Sequence, residues 1–169
     1  MPDFENIAQA LQATRELTGS YVEIGVYKGS SAYFALDYME RAGIRRQCYF
    51  LDTFSGFDYE QAASSSDRTW VNTHTQASRD DVEQFLSGFK TPHRVIRNNI
   101  ITEALPSDIR DVALCNVDVD MYEAIIAALI KVAPLVMVGG IVIAEDQGHT
   151  PLLVGAYAAV RDFLDSAEG

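Results

Sequence analysis

Short apolar runs that end in acidic residues constrain this 169-residue chain more than any other feature. Tyr21 to Val26 carries Glu23 ahead of Gly25, and Cys48 to Leu51 is closed by Asp52. Val112 to Val117 runs into Asp118-Val119-Asp120, and Ile141 to Ala144, entered from Gly139-Gly140, ends in Glu145-Asp146. A further run, Arg94 to Arg97, ends in Asn98-Asn99. Apolar runs this short, bounded by turn formers, are strands buried on both faces. The segments between them have helical spacing. Phe4, Ile7, Leu11 and Leu17 share one stripe, and Ser30 to Ala42 is stopped by Gly43. Ser78-Arg79-Asp80-Asp81 is a capping box that opens a helix burying Val82, Phe85, Leu86 and Phe89. Tyr122 to Val132 presents Ile125, Ile126, Leu129 and Ile130, and a last helix spans Leu152 to Ser166. Alternating strands and helices with right-handed crossovers predict an α/β fold, a doubly wound, mainly parallel sheet ordered 3-2-1-4-5.

The bulk numbers fit one domain over residues 1–169. A net charge of −11 with no basic run argues against a nucleic-acid partner. Cys48 and Cys115 fall within apolar runs and are expected as buried free thiols in a reducing cytoplasm. No leader pattern opens the chain at Met1-Pro2-Asp3. The apolar stretch from Ala124 to Ala144 is interrupted by Lys131, Pro134 and Gly139-Gly140, so no membrane span is expected.

In a parallel sheet of this order, strands one, four and five open on one crevice at their carboxyl ends. The turn after strand one reads E-x-G-x-x-x-G, from Glu23 through Gly25 to Gly29, and not the G-x-G-x-x-G of dinucleotide binders. That spacing points to S-adenosylmethionine, which has no pyrophosphate to seat on a helix. The candidate cofactor contacts are Glu23, Gly25, Gly29, Ser31, Asp52, Thr53, Asn98 and Asp118. Carboxylates gathered at one edge repel one another unless they hold a cation or accept from donors. Asp118, Glu145 and Asp146 are hard oxygen ligands suited to magnesium or a similar divalent ion. Each acid also has a bland reading. Asp120 with Glu123 can cap a helix, Asp52 can be a turn residue, and Glu145-Asp146 can be a solvated strand end. His74 and His93 are read as loop and strand-entry residues, and His149 as a surface loop histidine. The long segment from Thr53 to Thr75, with Phe54, Phe57, Tyr59 and Trp70, has the length of a lid or binding loop.

Four stretches resemble the macrocin and mycinamicin sugar O-methyltransferase family. They are Val22-Glu23-Ile24-Gly25-Val26-Tyr27-Lys28-Gly29-Ser30-Ser31, Leu51-Asp52-Thr53-Phe54-Ser55-Gly56-Phe57, Val117-Asp118-Val119-Asp120-Met121-Tyr122-Glu123 and Gly139 to Asp146. The resemblance implies magnesium-dependent methyl transfer from S-adenosylmethionine to a hydroxyl of a sugar or other vicinal diol. It makes Glu23, Gly25 and Asp52 cofactor contacts, Asp118, Glu145 and Asp146 metal ligands, and Asp120 the general base. The resemblance implies a sixth and seventh strand after the last helix; none is evident before Gly169, so the sequence reads as either a naturally minimal or a trimmed version. An open fifth-strand edge follows, and with it an expected homo-oligomer. The alternatives are a nicotinamide-dependent oxidoreductase, a cofactor-binding module without activity, and a hydroxylase partner of the cephamycin type.

Overall fold

Five strands of 5 to 9 residues form one sheet ordered β3-β2-β1-β4-β5, with every neighbouring pair parallel. The computed structural model describes residues 2–58, 60, 63, 67–145 and 154–166. Its elements are α1 (Pro2–Ala13), β1 (Ser20–Ile24), α2 (Ser30–Ala42), β2 (Cys48–Asp52), α3 (Arg79–Leu86) and β3 (His93–Arg97). They are followed by β4 (Val112–Val117), α4 (Tyr122–Val132), β5 (Val136–Ala144) and α5 (Val154–Leu164), with single 3-10 turns at Arg68–Trp70 and Ala133–Leu135. The predicted sheet order is the observed one.

The pleat of β1 divides the core into two layers. Val22 and Ile24 face one side, where they join Cys115 and Val117 of β4, Ile125 and Leu129 of α4, and Ala156, Val160 and Phe163 of α5. Tyr21 faces the other side with Phe50 and Leu114, against Ile7 and Leu11 of α1, Leu36 and Met39 of α2, and Val82 and Leu86 of α3. All residues of β1 and β4 are buried. These two strands are the rigid centre from which the site hangs. Cys48 and Cys115 are buried free thiols, and burial pushes both well above the usual thiol range. No described helix is long and apolar enough to cross a membrane.

The helix starts follow their local chemistry. Ser78 Oγ accepts from the amide of Asp81 at 3.2 Å and so caps α3. Of that helix's expected apolar face, Val82 and Leu86 are buried, whereas Phe85 is 49% exposed and stacks on Tyr33. On α4, Ile125 and Leu129 are buried and Ile130 is 45% exposed.

The fifth strand differs from expectation. It begins at Val136, so Gly139-Gly140 lies inside it rather than ahead of it. The register shows why: Val112 faces Val136, yet Leu114 already faces Ile141. The extra residues of β5 are extruded as a bulge, with Val138 97% exposed and Gly139 at φ +83°. A Cβ on Gly140 would sit 2.9 Å from the carbonyl oxygens of both Met137 and Val112, so the strand can fold over itself only with glycine there. Beyond the bulge, Ile141 to Ala144 resumes the ladder with β4 and delivers Glu145 to the carboxyl edge.

Candidate active site

The carboxyl ends of the central strands surround an open cleft of ≈ 850 Å³, mouth included. Ile24 and Gly25 form one wall and Asp118, Val119 and Asp120 the next. Asp52, Thr53, Gly56, Phe57 and His74 come from the far side, and Asn98 to Ile101 close the floor. A crevice at this edge of a doubly wound sheet is where ligands of such folds bind.

Gly25 is what keeps β1 and β4 close at the mouth. Its amide donates to the carbonyl of Leu51 at 2.8 Å, and the amide of Asp118 donates to the carbonyl of Ile24 at 2.8 Å. At φ +93° its Cβ position would lie 1.7 Å from the Asp118 carbonyl oxygen. No side chain fits, and Gly25 contributes bare backbone to the cleft lining.

Asp120 is not the helix cap that its spacing to Glu123 allows; Met121 occupies that position on α4. The amide of Met121 instead bonds back to the carbonyl of Val119 at 2.5 Å, closing a three-residue turn with Asp120 at its centre and φ +57°. A non-glycine residue held this way costs about 1–3 kcal/mol and clusters at functional sites. The strain turns the Asp120 residue into the cleft wall.

Asp52 spends its carboxylate on the backbone. Oδ2 accepts from the amides of Val26 and Tyr27 at 2.7 and 2.8 Å, and Oδ1 accepts from Phe54 at 2.7 Å. It thereby staples the turn after β1 to the end of β2. Asn98 receives the same treatment: its amide donates to the Asp52 carbonyl at 2.9 Å, and its Nδ2 donates to the carbonyl of Ala104 at 3.0 Å. Asn98 Oδ1 is buried with no partner among the described residues.

Other predicted contacts lie elsewhere. Glu23 does not close β1; it sits within the strand, fully buried. Its oxygens accept from Tyr21 Oη at 2.7 Å and Ser31 Oγ at 2.6 Å. Burial raises its carboxyl to about 7, against these two hydrogen bonds, which lower it. Gly29 precedes α2 and packs on Val82 of α3. Glu23, Gly29 and Ser31 are not among the residues that line the cleft.

Asp118 and Glu145 follow residues paired across β4 and β5, and the amide of Glu145 donates to the carbonyl of Val117 at 2.9 Å. Among the described residues no three His, Cys, Asp or Glu groups converge as a metal site. Asp146 and His149 lie outside the described residues. The donors that are placed are carboxylate oxygens, the chemistry a hard divalent ion takes.

Three further residues shape the cleft without a local sequence signal. Lys131 donates to the carbonyls of Ile100, of Ile101 at 3.2 Å and of Glu103 at 2.8 Å, tying the floor to α4. Asp67, 5% exposed, accepts from the amides of Tyr122 at 3.1 Å and Gly155 at 3.2 Å. One loop carboxylate thus serves the N-termini of both α4 and α5. His74, expected as a plain loop residue, lines the cleft. The loop carrying it is folded on itself: the amide of Phe57 donates to the Thr73 carbonyl at 3.2 Å, and that of Asn72 to the Phe57 carbonyl at 3.1 Å.

A family described as macrocin O-methyltransferase matches residues 1–168. No curated protein matches the chain. Among solved structures, the O-methyltransferase NovP superposes with a TM-score of 0.80 at 24% identity, over 97% of this chain and 72% of its own. CalS11, a calicheamicin methyltransferase, gives 0.70 at 17% identity over 97% and 71%. TomG of Streptomyces achromogenes, an O-methyltransferase of tomaymycin synthesis solved with S-adenosylmethionine, gives 0.58 at 11% over 98% and 69%. These likenesses show a shared fold.

Proposed function

The chain belongs to the macrocin O-methyltransferase family, and from that premise we propose that it transfers a methyl group from S-adenosylmethionine to a hydroxyl of a sugar or a similar vicinal diol. The observation that carries this reading is the placement of Asp120, strained and cleft-lining, on the same crevice as the side-chain-free surface of Gly25. The glycine surface and the unpartnered Asn98 Oδ1 fit a nucleoside-like cofactor with donor groups. A nicotinamide oxidoreductase has no support from the family match.

An alcohol is a weak nucleophile at neutral pH, so its proton must leave as the carbon–oxygen bond forms. Asp120 is the group we assign to accept that proton, because it is a carboxylate-bearing residue of the cleft lining. Asp118, Glu145 and Asp146 would hold a divalent cation, which when bound lowers the pKa of a hydroxyl near it. The cleft walls hold the methyl donor and the acceptor oxygen in line, roughly 3–3.5 Å apart at reaction. The acceptor is a small molecule, and among the described residues β5 is an edge strand bonded to β4 alone, which supports a homo-oligomer.

Calorimetric titration with S-adenosylmethionine, repeated with NADH, tests the reading. Saturable binding of the first and none of the second is expected. Binding of NADH alone would overturn it. Loss of methyl transfer in EDTA, restored by magnesium, is the expected result for the metal; undiminished transfer removes it from the mechanism.

A further inference from the structure

His74 gains a role if the cleft binds the adenosyl cofactor proposed above. Asp52 stands at the end of β2, where the hydroxyls of a bound nucleoside's ribose are expected, but its carboxylate is already engaged. A carboxylate has about four acceptor sites. Three of them take the amides of Val26, Tyr27 and Phe54. One site is left on Asp52 for the two hydroxyls of a ribose, which leaves room for a second acceptor in the cleft.

His74 supplies one, and its neighbours fix which ring nitrogen is free. Thr73 Oγ1 lies 2.6 Å from the carbonyl of Trp70, which can only accept, so the single hydroxyl proton is donated there. Thr73 Oγ1 is also 2.9 Å from His74 Nδ1, and with its proton spent it can only accept from that nitrogen. Nδ1 consequently carries hydrogen, and in the neutral ring Nε2 holds the lone pair. Nε2 has no protein partner among the described residues. The ring is held by edge-to-face contacts with Tyr27 and Phe57, at centroid distances of 5.0 and 5.3 Å, and by Trp70 at 6.4 Å. His74 also sits at φ +58°, a strained setting for a residue with a side chain. A strained, aromatic-packed histidine with one committed nitrogen and one free acceptor thus lines the same cleft as Thr53 and Asp52.

We propose that His74 Nε2 accepts a hydrogen bond from a ribose hydroxyl of the bound adenosyl cofactor, sharing with Asp52 the recognition of the ribose. The test is a cycle of two proteins and two probes, read by calorimetry. The probes are S-adenosylhomocysteine and its 2′,3′-dideoxy analogue; the proteins are the wild type and His74→Asn. Asparagine tolerates positive φ, and its amide can keep the bond to Thr73. One net hydrogen bond is worth about 1 kcal/mol, or about fivefold in Kd. Wild type should bind the dideoxy analogue at least about fivefold more weakly than S-adenosylhomocysteine. His74→Asn should bind S-adenosylhomocysteine about fivefold more weakly than wild type, and should lose a corresponding part of the discrimination between probes. If wild type binds both probes equally, or if His74→Asn keeps the full discrimination, the assignment is overturned. The first of these outcomes needs no variant. Failure of wild type to bind S-adenosylhomocysteine at all overturns the reading of the cofactor instead, and this assignment with it.

Discussion

Strands β1 and β4 run side by side, with Glu23 opposite Asn116 and Ile24 opposite Val117, and both bring carboxylates to the same end of the sheet. On β1 the acid is inside the strand, its side chain buried with Tyr21 and Ser31 and its carboxyl lifted to about 7. After β4 the acids are outside the strand, on a turn that lines the open cleft. Glu23 lies one residue before the end of β1, whereas Asp118 and Asp120 lie one and three residues past the end of β4. The pleat sends Glu23 between sheet and helix, whereas the residues past Val117 have left the ladder and can face a ligand. An acid inside the ladder can thus be turned into the core, as Glu23 is, while Asp118 and Asp120, past the last residue of β4, line the cleft.

That contrast can be broken most severely at Asp120. Asp120→Asn removes the proton acceptor and keeps the shape, so methyl transfer should fall by roughly 10²–10⁴-fold. Calorimetry with S-adenosylhomocysteine should show unchanged affinity; a variant of full rate would return the turn to a structural role.

Next in size is Gly25→Ala, at the point where the two strand ends touch. Backbone strain and overpacking each cost about 1–3 kcal/mol. With the Asp118 carbonyl in the way, a loss of roughly 4 kcal/mol is expected from urea unfolding. Stability equal to wild type would mean the strand ends can part.

Glu23 sharpens the other half. Its folded carboxyl titrates at about 7 against an ordinary value of 4.5, so the folded state binds the proton more tightly than the unfolded chain. The stability this gives is complete below about 4.5 and is lost as pH rises to about 7, by at most roughly 3 kcal/mol. Glu23→Gln should flatten that slope in urea unfolding series between these pH values and be the more stable protein above them. A wild type whose stability does not fall across this window would place the titration elsewhere.

The fold was legible where local and global preferences agree. β4 has the predicted bounds, Ser78 caps α3 as its box predicts, and α4 spans the predicted residues. Legibility stopped where a residue's role depends on distant partners. Asp67 looks like one more acid in a polar loop, yet it accepts from the amides of two helices, at residues 55 and 88 positions later in the chain. Gly139-Gly140 reads as a turn, because nothing local reveals that β4 will hold the residues on both sides of a bulge.

Sequence by itself determined the alternation of strand and helix, the order of the sheet and the edge where the acids collect, because hydrophobic period and crossover handedness need only the chain's own pattern. Tertiary structure decided which of those acids meets the cleft, which nitrogen of His74 is left to accept, and which carboxylate is consumed by backbone amides. Those outcomes depend on the direction of side chains and on hydrogen bonds closed across long separations, and neither is written in the spacing of residues.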